Sequence, residues 1–95
     1  MREKEIEQKF VKAVKQIGGI SPKFTSLGLN GMPDRIVLIP FGKMAFVEIK
    51  APGESPRPLQ TARHRQLRQL GFKVYVLDDQ QQISEIIRDI RGDTA

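Results

Sequence analysis

The chain is predicted to adopt an α/β fold, with a small mixed sheet flanked by helices. Two observations predict it. Apolar residues recur at helical spacing near both ends of the chain, and short apolar runs of strand length lie between those segments. The predicted order is helix, three strands, helix, strand, helix, which is typical of a sheet covered by helices.

The first third of the chain begins with a helix and ends in a loop. Apolar positions at helical spacing over residues 3–17 predict the helix, and Gly18-Gly19 ends it because glycine readily takes the left-handed cap conformation. Residues 23–26 are predicted to form a short strand. Two glycines and an asparagine make residues 27–31 a loop.

A hairpin is predicted next. Residues 35–39 are nearly all apolar, which indicates a strand buried on both faces. Residues 40–43 contain proline and glycine and form a turn, so the apolar run over 44–50 returns beside the first strand.

The last part of the chain is predicted to add a helix, a strand and a helix. Residues 51–58 hold three prolines and lead into a helix over 58–70, which Gly71 ends. A strand over 72–77 follows, and Asp78 or Asp79 caps a last helix with an isoleucine stripe. The final four residues are expected to fray.

Composition limits the class of protein. Ninety-five residues predict a single domain, 1–95, with a modest core. No run approaches the roughly 18 apolar residues of a membrane span, and the charged N-terminus has no apolar signal region, so no membrane partner is expected. The absence of cysteine excludes disulfides and thiolate metal sites, and fits a reducing cytoplasm.

Charge is distributed unevenly along the chain. The net charge is +5, and the stretch from position 50 to position 73 contains several basic residues and a single acid, Glu54. Such a block suggests a polyanion partner. A solvated helix face explains the same block equally well.

An acid pair with a lysine lies on the predicted hairpin. Strand alternation puts Glu48 and Lys50 on one face. If the hairpin is centred on Phe41, Asp34 lies opposite Glu48, with Cβ atoms about 5 Å apart. A slip of one residue would send Asp34 to the other face.

Two facing carboxylates repel unless a cation lies between them. Hard oxygen ligands from Asp34 and Glu48, with the carbonyl of Ile49, suit Mg²⁺ or Mn²⁺. A metal-bound water becomes a nucleophile, and Lys50 could orient it or stabilise a phosphate oxyanion. A turn-forming Asp34 and a solvated strand face are the alternative, but the combination favours metal-dependent phosphodiester cleavage.

This arrangement resembles the virus-type replication and repair nuclease (VRR-NUC) domain of the PD-(D/E)xK superfamily. The resemblance extends over nearly the whole chain, and the matching residues are Gly31 to Arg35, Phe46 to Pro52, Pro58 to Gln60 and Leu70 to Val76. It implies a restriction-endonuclease-like core and structure-specific DNA cleavage with Mg²⁺ or Mn²⁺. It further implies an activity like that of Holliday junction resolvases, as a homodimer in a bacterial or phage-infected cytoplasm, without a nucleotide cofactor.

The resemblance also implies a glutamate from the first helix. Glu7 is favoured and Glu3 is second, because both border the apolar stripe, whereas Glu5 points away from it. The alternative is that first-turn acids simply favour the helix dipole. Gln60 matches a family glutamine and is expected to contact the water or Lys50, or else to be a plain surface residue.

Basic residues of the second helix are candidate DNA contacts. They occupy several sides of the helix, so not all can touch one strand: Arg57, Arg63, Arg65 and Arg68. His64 lies among them and is expected to be a phosphate contact or a surface residue rather than a catalytic base.

Two rival functions remain open at this point. One is a non-catalytic DNA-binding module that reuses the fold, and the other is a metal-stabilised interaction domain in a larger assembly. Indirect support for a homodimer comes from the small core and from the isoleucine stripe of the last helix, which could pack on a partner.

Overall fold

A three-stranded sheet lies between helices in the computed structural model, which describes residues 1–92. The predicted α/β class is confirmed, and the predicted fraying falls largely on residues 93–95, outside that range. The helices and strands are α1 (Glu3–Gln16), β1 (Arg35–Ile39), β2 (Lys43–Ile49), α2 (Pro58–Gln69), β3 (Val74–Leu77) and α3 (Ile83–Arg91).

The sheet has the strand order β1-β2-β3. β1 and β2 form an antiparallel hairpin. α2 connects β2 to β3, and β3 runs parallel to β2. Arg35 lies opposite Val47 and Ile39 opposite Lys43, so the hairpin is centred on Phe41. The predicted register is therefore confirmed, with Phe41 itself in the turn at φ 71°.

The strand predicted over residues 23–26 is an irregular segment beside β1. Ile20 and Lys23 each form one antiparallel bridge, to Leu38 and Arg35. Between them Pro22 accepts a hydrogen bond from the Ile36 N–H at 3.1 Å but has no N–H to donate. The ladder therefore stops at two bridges instead of forming a continuous strand.

Two apolar layers cover the sheet. On one face α1 and α3 pack with β1 and β2 into the main core, whereas on the other face Phe46 and Val74 pack against Leu67 of α2. The four isoleucines of α3 are buried in the main core: Ile83, Ile86, Ile87 and Ile90.

That burial corrects the expectation that the isoleucine stripe packs on a partner. Each buried isoleucine contributes roughly 1.5–3 kcal/mol, so α3 cannot turn its stripe outward without losing much of the fold's stability. No helix within residues 1–92 is long and apolar enough to cross a membrane.

Candidate active site

Asp34 and Glu48 lie at the open end of the hairpin. Arg35 of β1 is paired with Val47 of β2. Asp34 directly precedes Arg35 and Glu48 directly follows Val47, so the same register sets Asp34 opposite Glu48. The backbone N–H of Ile49 donates a hydrogen bond to Oδ2 of Asp34 at 3.1 Å. The main chain of β2 thus fixes the Asp34 carboxylate beside that of Glu48.

Glu48 is a buried carboxylate with only 1 % of its side chain exposed. Its Oε2 accepts a hydrogen bond from Nε2 of Gln60 at 3.0 Å and lies 3.6 Å from Nζ of Lys50. Burial, followed by the hydrogen bond to Asp34 and the charge of Asp34, raises the pKa of Glu48 to about 8, against the opposing pull of Lys50. The carboxylate pair is therefore short of positive charge.

Gln60 connects this pair to α2. It is the third residue of the helix, and its Oε1 accepts a hydrogen bond from the backbone N–H of Arg57 at 2.8 Å. Because the amide oxygen is occupied there, the amide nitrogen points to Glu48. Gln60 thus lies in the site, where its side chain contacts Glu48, whereas the water or Lys50 was expected.

The loop before Asp34 packs against the first turns of α2. Gly31 has φ 82°, and a Cβ there would lie 2.8 Å from the carbonyl oxygen of Leu59. Nε of Arg63 donates a hydrogen bond to the carbonyl of Asn30 at 2.9 Å. Only glycine fits this approach, so Gly31 lets the loop and α2 position Asp34 and Gln60 together.

His64 is buried, and the expectation of a surface residue or phosphate contact was wrong. Its side chain is 2 % exposed, and Nε2 lies 3.4 Å from Oε1 of Glu48. The pair lacks hydrogen-bond geometry, so both atoms are buried without a hydrogen-bond partner. Burial, followed by the charge of Arg68, lowers the pKa of His64, which favours a neutral imidazole.

Two of the four candidate arginines are held by the protein's own main chain. Besides its contact with Asn30, Arg63 donates to Gln66, and NH2 of Arg68 donates to the carbonyl of Val74 at 2.8 Å. Arg57 and Arg65 are exposed. Of the four arginines predicted to contact DNA, two therefore hydrogen-bond to the protein itself, and the other two are exposed.

Glu7 is not brought to the acid pair. Its Oε2 accepts a hydrogen bond from Nε of Arg35 at 2.9 Å. Arg35 and Asp34 are adjacent in an extended chain, so their side chains leave from opposite faces of the sheet. Within residues 1–92 no group of three or more acidic, histidine or cysteine side chains is arranged to hold a metal ion, and Glu3 is exposed.

The residues present fit a hard divalent cation. Asp34 and Glu48 supply two adjacent carboxylates, and Oε1 of Glu48 is buried without a hydrogen bond, although Nε2 of His64 lies 3.4 Å away. Buried polar atoms are nearly always paired. An unpaired carboxylate oxygen beside a second carboxylate is therefore well suited to bind a cation. Mg²⁺ needs only one or two protein carboxylates, because water and substrate phosphate complete its shell.

Comparisons with known proteins agree with this geometry. The chain is 52% identical over 80 residues to "Putative nuclease p44" of Acyrthosiphon pisum secondary endosymbiont phage 1, covering 84% of this chain and 86% of that protein. A solved structure described as a VRR_NUC domain superposes with a TM-score of 0.85 at 29% identity, covering 90% of this chain and 94% of that one. A search of protein-family models found no match.

The fold and the acid pair with its lysine define a nuclease of the PD-(D/E)xK class. The similarity in sequence and in structure makes the assignment narrower, and the chain belongs to the VRR-NUC family. Nucleases of this class generally depend on a divalent metal.

Proposed function

We propose that this protein is an endonuclease that hydrolyses phosphodiester bonds of DNA with Mg²⁺ or Mn²⁺. The observation that carries the proposal is the pair of buried Glu48 and half-buried Asp34, in which burial and then the neighbouring Asp34 raise the pKa of Glu48 to about 8 beside Lys50. A module that only binds DNA has no use for two facing carboxylates near a phosphate, because they repel it.

Each residue of the pair's surroundings has a distinct proposed role. Asp34, Glu48 and the carbonyl of Ile49 hold the cation, which when bound acidifies water and neutralises phosphate charge. Lys50 stabilises the negative charge that develops on the phosphate oxygens. Gln60 holds the Glu48 carboxylate in one orientation. Glu7 stays outside this ligand set, because Arg35 binds it.

The nature of the substrate and the assembly are further parts of the proposal. We propose branched DNA, including four-way junctions, as the substrate, because the family resemblance implies structure-specific cleavage. A homodimer would bring two sites to two of the strands of a junction. The proposed location is the cytoplasm of a bacterium or of a phage-infected host.

A cleavage assay with a matched pair of lysine variants tests the chemistry. Single strands, flaps, forks and four-way junctions are incubated with Mg²⁺, Mn²⁺ or EDTA. Lys50→Ala should bind DNA but cut about 10²–10³-fold more slowly, since it removes one donor to the developing charge. Lys43→Ala, at the other end of β2, is the control and should cut like the parent.

The outcomes separate the alternatives. A Lys50→Ala variant that cuts as fast as the parent contradicts the role of Lys50. Binding without cleavage in either metal indicates a DNA-binding module, and metal-dependent stability without cleavage indicates an interaction domain. Light scattering at micromolar concentration tests the dimer, and a monomer both free and on junction DNA would refute it.

A further inference from the structure

The eight lysines of the chain fall into two groups. Four side chains contact a polar group of the protein itself, either a side-chain amide, a carboxylate or a main-chain carbonyl: Lys9, Lys43, Lys50 and Lys73. The other four make no hydrogen bond or ion pair within residues 1–92, and all of them line a single groove: Lys4, Lys12, Lys15 and Lys23.

The lysine groove, defined by these four residues, runs along α1 and has a volume of about 460 Å³. Lys4 and Lys15 are eleven residues apart, roughly 16 Å along the helix axis, and Lys12 lies within roughly 80° of both around it. Glu7 also lines the groove, but Arg35 neutralises it at 2.9 Å. The four lysines therefore leave the groove strongly positive.

The groove begins beside the acid pair. Lys23 is the bridge partner of Arg35, which directly follows Asp34 in the chain. Because Asp34 and Arg35 point to opposite faces, the site and the groove meet at the end of β1 and continue on either side of the sheet. Lys23 is the groove lysine that is paired at this end of β1, and it is where we expect DNA leaving the acid pair to enter the groove.

We propose that the lysine groove binds the phosphate backbone of the DNA that flanks the cleaved bond. This inference rests on the proposed function and adds a binding surface to it. One phosphate per 3.4 Å of each strand means that roughly 16 Å of helix faces about five phosphates. Four unpaired ammonium groups on flexible stems suit a repeating charge of that kind, whose position shifts with the bound DNA structure.

Salt dependence of binding tests the groove. Affinity for a 20-base-pair duplex is measured by fluorescence anisotropy in EDTA, so that no strand is cut, over a range of NaCl concentrations. The double variant Lys12→Gln/Lys15→Gln should lower the slope of log K against log salt by about 1.8, since each phosphate contact contributes about 0.9. The control, Lys43→Gln/Lys73→Gln, removes the same charge elsewhere and should change the slope by less than about 0.5.

A charge-retaining variant excludes a merely structural effect. Lys12→Arg/Lys15→Arg should keep the parent slope, because arginine also contacts phosphate. In the cleavage assay the loss of the groove charges should appear as a higher KM. Equal slope changes in the groove and control variants, or an unchanged slope in the groove variant, would overturn the inference. If the parent cuts no DNA, the proposed function fails, and the slopes still decide whether the groove binds DNA.

Discussion

Replacing Glu48 with glutamine should stabilise the metal-free protein at alkaline pH while abolishing metal binding. Burial and the neighbouring Asp34 raise the pKa of Glu48 from its ordinary 4.5 to about 8. Between these values the folded protein holds a proton that the unfolded chain has released. Stability therefore falls as pH rises through this window, by up to about 1.36 kcal/mol per pH unit.

The full window of about 3.5 pKa units corresponds to an upper limit of about 5 kcal/mol. We expect a gain of about 2–5 kcal/mol for Glu48→Gln at pH 8. The uncharged amide keeps the hydrogen bond from Gln60 and can donate to Asp34. At pH 5 the gain should be below about 1 kcal/mol, since Glu48 is already protonated there in the folded protein.

Thermal unfolding in EDTA at pH 5 and pH 8 measures this difference. A gain of this size should raise Tm by about 10 °C or more at pH 8 for a domain of this length. Adding Mn²⁺ at a hundred times Kd should stabilise the parent by about 2.7 kcal/mol and leave the variant unchanged. Glu54→Gln, on an exposed loop, is the control and should show neither effect. A variant no more stable than the parent at pH 8 would refute the reasoning, as would a gain that is equal at both pH values.

Three further variants test how the site is positioned. Gly31→Ala should lower the free energy of unfolding in urea by about 2–4 kcal/mol, because it adds strain at positive φ and a clash with a carbonyl. Gly28→Ala, with open space around it, is the control and should change it by less than about 1 kcal/mol. Equal costs would contradict the packing described. Gln60→Ala should weaken Mn²⁺ binding about 10–100-fold in calorimetry, and unchanged affinity would show that Glu48 needs no support. Glu7→Gln should leave Mn²⁺ affinity unchanged and cost about 1–3 kcal/mol, since it removes one charge from a part-buried ion pair. A tenfold loss of affinity would make Glu7 a ligand after all.

Local rules were sufficient to predict the hairpin and its acid pair. A turn centred on Phe41 and the two-residue period of a strand together determine which side chains face each other, and neither depends on the rest of the fold. The end of the first helix at Gly18 and the break before α2 likewise follow from backbone preferences. These features depend on residues close together in the chain, so they can be predicted from the sequence.

What sequence reasoning missed depends on how the elements pack. His64 lies four residues after Gln60 and three before Leu67, which is the spacing of one helix face, and that was the available signal that it points at the sheet. The arginines that bind main-chain carbonyls carry no such signature. The isoleucine stripe of α3 would look the same whether it covered its own sheet or a partner.

The amide of Gln60 has a consequence for how activity arises during folding. One side chain both completes the first turn of α2 and orients the buried carboxylate of Glu48. A chain whose hairpin has formed but whose second helix has not docked would have neither. Hydrolytic competence therefore requires that α2 is docked on the hairpin. Loss of cleavage should precede loss of secondary structure whenever α2 loosens.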